Sequence, residues 1–307
     1  MGKGVRVAPE STLRVAVEAA MPAMLAAVLA HEDAARRGEV EAGIHDMRVA
    51  TKRLREVFRV FAPAFEPEAH AKRLARLEGL NDSLGRVRDL DVMRERLGAL
   101  RSPAARLVRE SLGPERDEAH RAFVRILDAF HLDGEPAALG GLAERAGKKS
   151  RLGPDAPVTE LARLAIARRL EVLGSRLEAV AEAPSERALH ELRIASKRMR
   201  YALEPFRKLL PEPLRELRAR VEELQDELGE LHDDDVLRVR VLRATLAARP
   251  DAREPYLRLL ASLDATRRSR LPTVLATLDR LRGRRGILRY RSYIRRVGSG
   301  SRRGPKP

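Results

Sequence analysis

The sequence predicts an all-α protein that consists of two pseudo-symmetric, antiparallel four-helix bundles built from an internal repeat. The first observation is a basic motif that occurs twice, at residues 44–55 and 189–200, with His, Arg, Lys, Arg and Arg at the same offsets. The second is that no stretch shows the sustained alternation of apolar and polar residues that is typical of strands. The third is that only 3% of the 307 residues are aromatic, so that Leu, Ala and Val must form the core, which suits long helices.

The first repeat is predicted to hold four helices within residues 11–131. Ser11 or Thr12 can cap the first helix, which is expected to continue to about Arg37. The second helix carries the first basic motif and should end at the prolines that follow it. The later boundaries are Pro63 and Pro67 after the second helix, Glu68 to about Leu97 for the third, and Pro103 to about His131 for the fourth. Short connections between these helices favour an antiparallel bundle.

The same order of helices is predicted to start again after a linker. Residues 132–157 are rich in Gly, Pro and Asp and are expected to link the two repeats. The second four-helix repeat is predicted over residues 158–282, with Pro184 and Ser185 at the start of the helix that carries the second basic motif. Residues 283–307 are basic and are expected to form a disordered tail.

The cations of each basic motif share one face of the predicted helix. At about 100° per residue, His45, Arg48 and Lys52 align on one side, while the apolar residues form a separate stripe that faces the core. Like charges one turn apart repel each other unless an anion neutralises them. A single such face is usually solvated or paired with acids of a neighbouring helix. Because the face is duplicated with the same side chains, it favours a bound anion instead.

A second motif is also duplicated, as LNDSLGRVRDLDVM at residues 80–93 and LQDELGELHDDDVL at residues 224–237. Together the doubled patterns H-x-x-R-x-x-x-K-R-x-R and L-x-D-x-L-G-x-x-x-D-x-D-V resemble the CHAD family, named for a conserved histidine α-helical domain. The resemblance covers residues 11–282 and implies two four-helix bundles that bind inorganic polyphosphate in a basic groove or pore between them. The residues it implies are His45, Arg48, Lys52, Arg53, Arg55, His190, Arg193, Lys197, Arg198 and Arg200. Arg59, Arg86 and Arg88 complete the predicted site.

The two copies differ in charge beside the basic helix. Arg86 and Arg88 of the first repeat correspond to Glu230 and His232 of the second, and Arg59 corresponds to Glu204. The sequence therefore predicts a groove of uneven charge, in which the first repeat makes more of the ligand contacts in this region.

A linear phosphate polymer offers charge and hydrogen-bond acceptors, which Arg and Lys are suited to bind. We therefore expect a non-enzymatic protein whose partner is inorganic polyphosphate, with polyphosphate granules or a polyphosphate-processing enzyme as further partners. Catalytic residues, metal ligands and cofactors are not predicted.

The absence of Cys excludes disulfides, Cys-ligated zinc and Cys nucleophiles. A cytoplasmic, granule-associated location without a membrane span is expected.

Two alternative functions stay open at this point. The net charge is +16, of which residues 282–307 contribute +10 and leave +6 for the rest. The basic tail and the basic helix faces could therefore bind nucleic acid non-specifically. The aspartates of the second motif could instead serve a metal-dependent polyphosphate hydrolase, or they could orient arginines. These aspartates are Asp82, Asp89, Asp91, Asp226, Asp233 and Asp235. His45 and His190 could donate to phosphate or hold the bundle through neutral hydrogen bonds.

Overall fold

The computed structural model describes residues 8, 10–283 and 286–298, and across these residues no strand is formed. The α-helices are α1 (Leu13–Leu29), α2 (Glu32–Arg36), α3 (Asp46–Val60), α4 (Pro67–Ala99), α5 (Pro103–Leu132), α6 (Glu135–Glu144), α7 (Val158–Glu182), α8 (Glu186–Leu203), α9 (Glu212–Ala247), α10 (Glu254–Arg282) and α11 (Arg291–Ile294). A π-helix at Val40–His45 leads into α3. Single 3₁₀ turns lie at Ala62–Ala64, Arg207–Leu209, Pro250–Ala252 and Ile287–Tyr290.

Each repeat combines a short pair of helices with a long hairpin. In the first repeat α1 packs on α3, α3 packs on α4, and α4 forms the hairpin with α5. In the second repeat α7, α8, α9 and α10 take the corresponding places. The repeats meet where α3 contacts α8 and where α5 contacts α9 and α10. The predicted all-α fold of two pseudo-symmetric helical bundles is confirmed.

The two basic helices bury their apolar stripes near the pseudo-twofold axis. Phe61 and Phe206 occupy equivalent positions in the repeats, both are fully buried, and their ring centroids lie 6.2 Å apart. Met47 and Met199 are also fully buried on the core faces of α3 and α8. The charged faces of the same helices point toward the space between the repeats, because an amphipathic helix buries only its apolar side.

Side-chain caps set several helix starts where the sequence predicts them. Thr12 caps α1 by accepting a hydrogen bond from the Val15 N–H, and Ser185 caps α8 in the same way from the Ala188 N–H at 3.1 Å. Pro67 and Pro103 stand at the first turns of α4 and α5, where the missing N–H has no helical partner to lose.

The predicted first helix is wrong in its extent, because the chain bends at residues 30–31 and again before α3. A side chain at Gly43 would place its Cβ 2.5 Å from the carbonyl of Ala34, so only glycine permits this close approach of α2 and the π-helix. The bend has no counterpart in the second repeat, where α8 starts directly from its Ser185 cap.

The segment 132–157 is not a simple linker, because it contains α6. Leu139, Leu142 and Ala143 of α6 are buried, and α6 packs against α1, α4 and α5. Gly140 and Gly141 interrupt the apolar pattern, which explains why the sequence signal for this helix is weak. The segment thus adds an extra helix to the first bundle.

The expectation of a disordered tail over residues 283–307 is wrong for residues 286–298. Ile287, Tyr290, Ile294 and Val297 are buried, and α11 with the preceding 3₁₀ turn packs on α7. Their spacing of three, four and three residues is a helical stripe that the many arginines conceal. Residues 284–285 and 299–307 lie outside the described residues, so the tail prediction there stays untested.

Replacing Ile287 with Ala is expected to lower the free energy of unfolding by about 2 kcal/mol, because a buried aliphatic side chain is removed from its contact with α7. Urea titration followed by circular dichroism measures the change. Leu288→Ala is the matched control, since Leu288 is 42% exposed and should cost less than half as much. Equal losses would contradict the placement of this segment.

Residues 13–36 are apolar and long enough to cross a membrane by length and composition alone. Six side chains of α1, among them Leu13, Val17 and Val28, are buried in the protein core. A core helix passes the same length test, and the expected absence of a membrane span stays a prediction.

Candidate functional site

The basic helices α3 and α8 face a continuous cleft between the repeats. Its larger part is a cavity of about 660 Å³, to which α3, α8, α9 and α10 contribute side chains. Its smaller part, about 260 Å³, lies between α4 and α9. Arg193 and Asp233 line both parts, so we treat them as one inter-repeat cleft.

The cleft carries mixed charge rather than a purely basic wall. The larger part is lined by the cations Lys52, Arg193, Lys197 and Arg270 and by the acids Asp226, Glu227, Glu230 and Asp233. Only Lys52 in this part comes from the first repeat. The second repeat dominates this lining because α9 and α10 cover the cavity. The expectation that the first repeat makes more of the ligand contacts near Arg86 and Arg88 stays a prediction.

Five of the six aspartates of the second motif contact arginines, and Asp226 is the exception among the described residues. Arg48 Nη1 lies 3.1 Å from Asp89 Oδ1, which brings the guanidinium over the open face of Gly85 at the edge of the cleft. Asp91 pairs with Arg116 of α5 at 3.1 Å, and the equivalent Asp235 pairs with Arg267 of α10 at 2.5 Å. These contacts give Asp91 and Asp235 the role of fixing each long hairpin, and they give Asp89 the role of orienting a cleft arginine.

A buried carboxylate organises the first repeat's arginines. Glu56 is 2% exposed and its Oε1 accepts hydrogen bonds from Arg55 Nη2 at 2.8 Å and from Arg59 Nη1 at 2.6 Å. Arg55 also lies 3.7 Å from Asp82, and Arg59 pairs with Glu78. These two arginines are thus neutralised within the protein and are only partly available to a ligand.

In the second repeat an aromatic residue replaces that carboxylate. Tyr201 occupies the position equivalent to Glu56 and is 7% exposed. Arg200 Nη2 donates to the Tyr201 hydroxyl at 3.3 Å, and Lys52 Nζ lies 5.5 Å from the centre of the Tyr201 ring. A cation at this distance is attracted to the ring face. Burial raises the pKa of Tyr201, although Arg200 opposes the shift, so the hydroxyl keeps its proton.

The two lysines of the basic motifs have strongly perturbed acidity. Burial, together with Arg48, Arg200 and Arg55, lowers the pKa of Lys52 to about 8. Burial, together with Lys52 and Arg193, lowers the pKa of Lys197 to about 8. Burial also lowers the pKa of Arg193, whose Nε is buried without a hydrogen-bond partner among the described residues. Positive charge is thus concentrated and incompletely neutralised around these three side chains.

The two motif histidines have different surroundings. His45 closes the π-helix and is half-buried, while His190 is exposed and lies 5.4 Å from the ring of His232, measured between centroids. Burial, with Arg193 and His190 nearby, lowers the pKa of His232 to about 4, so that His232 is neutral near pH 7. Neither motif histidine lines the two cavities.

The remaining predicted residues lie around the cleft without lining it. Arg53 and Arg86 are exposed, and Arg88 Nη1 pairs with Glu41 at 2.9 Å. Arg198 lies close enough to Arg169 of α7 to lower the pKa of Arg169, second to the effect of burial. Of the thirteen predicted residues, the cleft is lined by Arg48, Lys52, Arg193 and Lys197.

Sequence reasoning missed several residues that the fold brings to the cleft. Arg96 of α4 and Arg270 of α10 both line it, and both contact the buried Asp234. The one signal in the sequence was the change from Leu90 to Asp234 between the repeats, since a buried acid requires a cation beside it. Across residues 10–283 and 286–298, no group of three or more His, Asp or Glu side chains could hold a metal ion.

Comparison with known proteins identifies the fold. A family model for the CHAD domain matches residues 19–242. The crystal structure of the CHAD domain from the plant Ricinus communis is similar at a TM-score of 0.67 and 22% identity, covering 90% of this chain and 94% of that one. PptA from Streptomyces chartreusis is similar at 0.65 and 17% identity, covering 88% and 99%. A search of curated proteins found no match.

Proposed function

The chain belongs to the CHAD domain family, and from this premise we propose that it binds inorganic polyphosphate in the inter-repeat cleft without catalysing a reaction. The observation that carries the proposal is the group of Lys52, Lys197 and Arg193. These cations come from the repeated motifs, line one cavity and lack a full complement of counter-charges within the protein. A polyanion supplies the missing negative charge.

The acidic side chains of the cleft restrict the path that a bound polyphosphate would follow. Phosphates should contact the α3 and α8 side of the larger cavity, because the opposite wall carries Asp226, Glu227 and Glu230. Arg48 marks the continuation of this path into the smaller cavity. Binding through such cations should weaken steeply with salt, because counterions are released and charges are screened.

The double variant Arg48→Glu/Arg193→Glu is expected to bind long-chain polyphosphate at least about 100-fold more weakly than the wild type, since two charge-assisted contacts become repulsive. Fluorescence anisotropy at low salt measures the affinity. The control is Arg249→Glu/Arg258→Glu, which changes the net charge equally at side chains that are 86% and 77% exposed near the turn between α9 and α10 and that do not line the cleft. An equal loss of affinity in both variants would show that net charge, rather than the position of Arg48 and Arg193, causes the effect.

A wild-type protein that fails to bind polyphosphate at low salt would refute the proposed function. Release of phosphate on incubation with Mg²⁺ or Mn²⁺ would refute the non-enzymatic assignment.

For nucleic-acid binding, a chain that ends at Gly298 removes Arg302, Arg303 and Lys306 while it keeps the packed segment. If DNA binding is lost and polyphosphate binding is retained, the two activities are separate.

The location and the granule or enzyme partners belong to the same proposal. Polyphosphate in a granule presents many chains at one surface, and a non-enzymatic protein could attach there through the cations of its cleft. Sedimentation with polyphosphate granules, compared between the wild type and Arg48→Glu/Arg193→Glu, tests this association.

A further inference from the structure

Lys52 and Lys197 form a repeat-related pair in the larger cavity of the cleft. Both line the larger cavity, and each lies close enough to the other for their charges to interact. Among the described residues neither Nζ has a carboxylate within 4.0 Å, whereas Arg48, Arg55, Arg59 and Arg200 each have at least one. Arg193 in the same cavity also has no such partner among the described residues, so the pair lies in the part of the motif faces that the protein leaves without a direct counter-charge.

The charged groups on the neighbouring helices explain why the two lysines lack a direct counter-charge. On α3, Arg48 and Arg55 repel Lys52, and Glu56 attracts it but is already shared by Arg55 and Arg59. On α8, Arg193 repels Lys197, Arg200 repels Lys52, and the ring of Tyr201 supports Lys52. From α4, Asp89 and Asp82 contact Arg48 and Arg55 rather than the lysines.

The acids across the cavity are also partly engaged elsewhere. Glu230 of α9 lies 3.3 Å from Arg270 of α10, and Glu227 accepts a hydrogen bond from Thr277. Asp233 lies 3.7 Å from Arg96, and burial raises its pKa. The remaining acid, Asp226, is exposed at the rim of the cavity.

We propose that Lys52 and Lys197, when neutral, take up protons as polyphosphate enters the cleft and release them as it leaves. Polyphosphate is then held tightly only when both lysines are charged. The inference rests on the proposed function. A phosphate anion next to an amine favours its charged form. Near pH 7 both lysines are already charged and binding needs no proton. Above the pKa of about 8 in the free protein, each neutral lysine must be protonated as the ligand binds.

The expected sign follows from this linkage. Affinity should be constant below about pH 7 and should fall as the pH rises, by at least about tenfold between pH 7 and 9.5. Arginine keeps its charge over this range. In Lys52→Arg/Lys197→Arg the decline should disappear, whatever the affinity of this variant at neutral pH.

The experiment measures polyphosphate affinity from about pH 7 to 9.5 at constant ionic strength, and calorimetry near the lysine pKa compares two buffers that differ in their heat of ionisation. The wild type should show proton uptake and Lys52→Arg/Lys197→Arg should show none. Lys72→Arg/Lys148→Arg, at two exposed lysines, is the matched control and should behave as the wild type. Titration of the ligand's own end groups is common to all three proteins.

A wild type whose affinity is unchanged over this range, or that takes up no protons on binding, would overturn the inference while the proposed function stands. So would an arginine variant that keeps the full decline. Absence of polyphosphate binding at neutral pH and low salt would instead remove the proposed function itself.

Discussion

Replacing Glu56 with Gln is expected to lower the free energy of unfolding of the free protein by about 4 kcal/mol. Glu56 is 2% exposed and its carboxylate is shared by Arg55 and Arg59, so its loss leaves two guanidinium groups without their buried counter-charge. Burying an uncompensated charge is more costly than losing a surface ion pair. Urea titration at neutral pH and low salt measures the difference.

Polyphosphate should restore part of this lost stability. In the proposed binding mode, the polyanion adds negative charge beside the same cluster of cations and prefers the folded protein, which raises the free energy of unfolding. The shift in melting temperature on adding polyphosphate should therefore be larger for Glu56→Gln than for the wild type. The control is Glu254→Gln, which removes a 60% exposed partner of Arg258 and should change stability by less than about 0.5 kcal/mol. A Glu56→Gln protein as stable as the wild type would show that the carboxylate is not needed.

Replacing Asp234 with Leu is expected to cost about 4 kcal/mol for a related reason. Asp234 is 2% exposed and contacts Arg96 from the first repeat and Arg270 from α10. The Arg270 Nε atom is 2.9 Å from Asp234 Oδ2, an ion-pair contact that is not aligned as a hydrogen bond. The variant leaves both arginines facing an apolar side chain between the repeats.

A triple variant separates lost charge pairing from lost packing. The first repeat has Leu90 at the equivalent position, 5% exposed, which shows that an aliphatic side chain suits this site in the fold. Arg96→Met/Asp234→Leu/Arg270→Met should therefore recover most of the stability, since an apolar group can replace a buried ion cluster. If the triple variant is as unstable as Asp234→Leu, the cost arises from shape rather than charge. Asp251→Asn, at a 74% exposed side chain, is the surface control.

The sequence predicted the long helices well because strong local signals mark their ends. Pro67 and Pro103 begin α4 and α5, and Ser185 caps α8, so each boundary depends on a few neighbouring residues. The elements that were wrong depend on distant contacts. The helix α6 forms against α1, α4 and α5, and residues 286–298 are ordered by packing on α7. Neither partner is visible from local composition.

The sequence could group only those cleft residues that share one face of a single helix. The doubled motif predicted that Arg48 and Lys52 share one side of α3 and that Arg193 and Lys197 share one side of α8, and all four line the cleft. Their contact with polyphosphate stays a prediction. It could not show that Glu56 neutralises Arg55 and Arg59, since that depends on side-chain geometry. Nor could it show the acidic wall from α9, because the rotation of α9 about its axis is set by packing against α10.

The start of α1 and the segment after α10 meet at one corner of the fold, beside the start of α7. The Ser11 carbonyl accepts from the Val158 N–H at 3.1 Å, and the Leu13 N–H donates to the Ala156 carbonyl at 2.8 Å. Gly298 lies against Thr159, and its N–H donates to the Leu209 carbonyl at 2.9 Å. During synthesis, therefore, these contacts of α1 can form only after residues 154–158 have left the ribosome, and those of α7 only after the segment that follows α10 has done so. Such contacts between distant parts of a chain slow folding, so the two repeats are expected to complete their folding together rather than in turn.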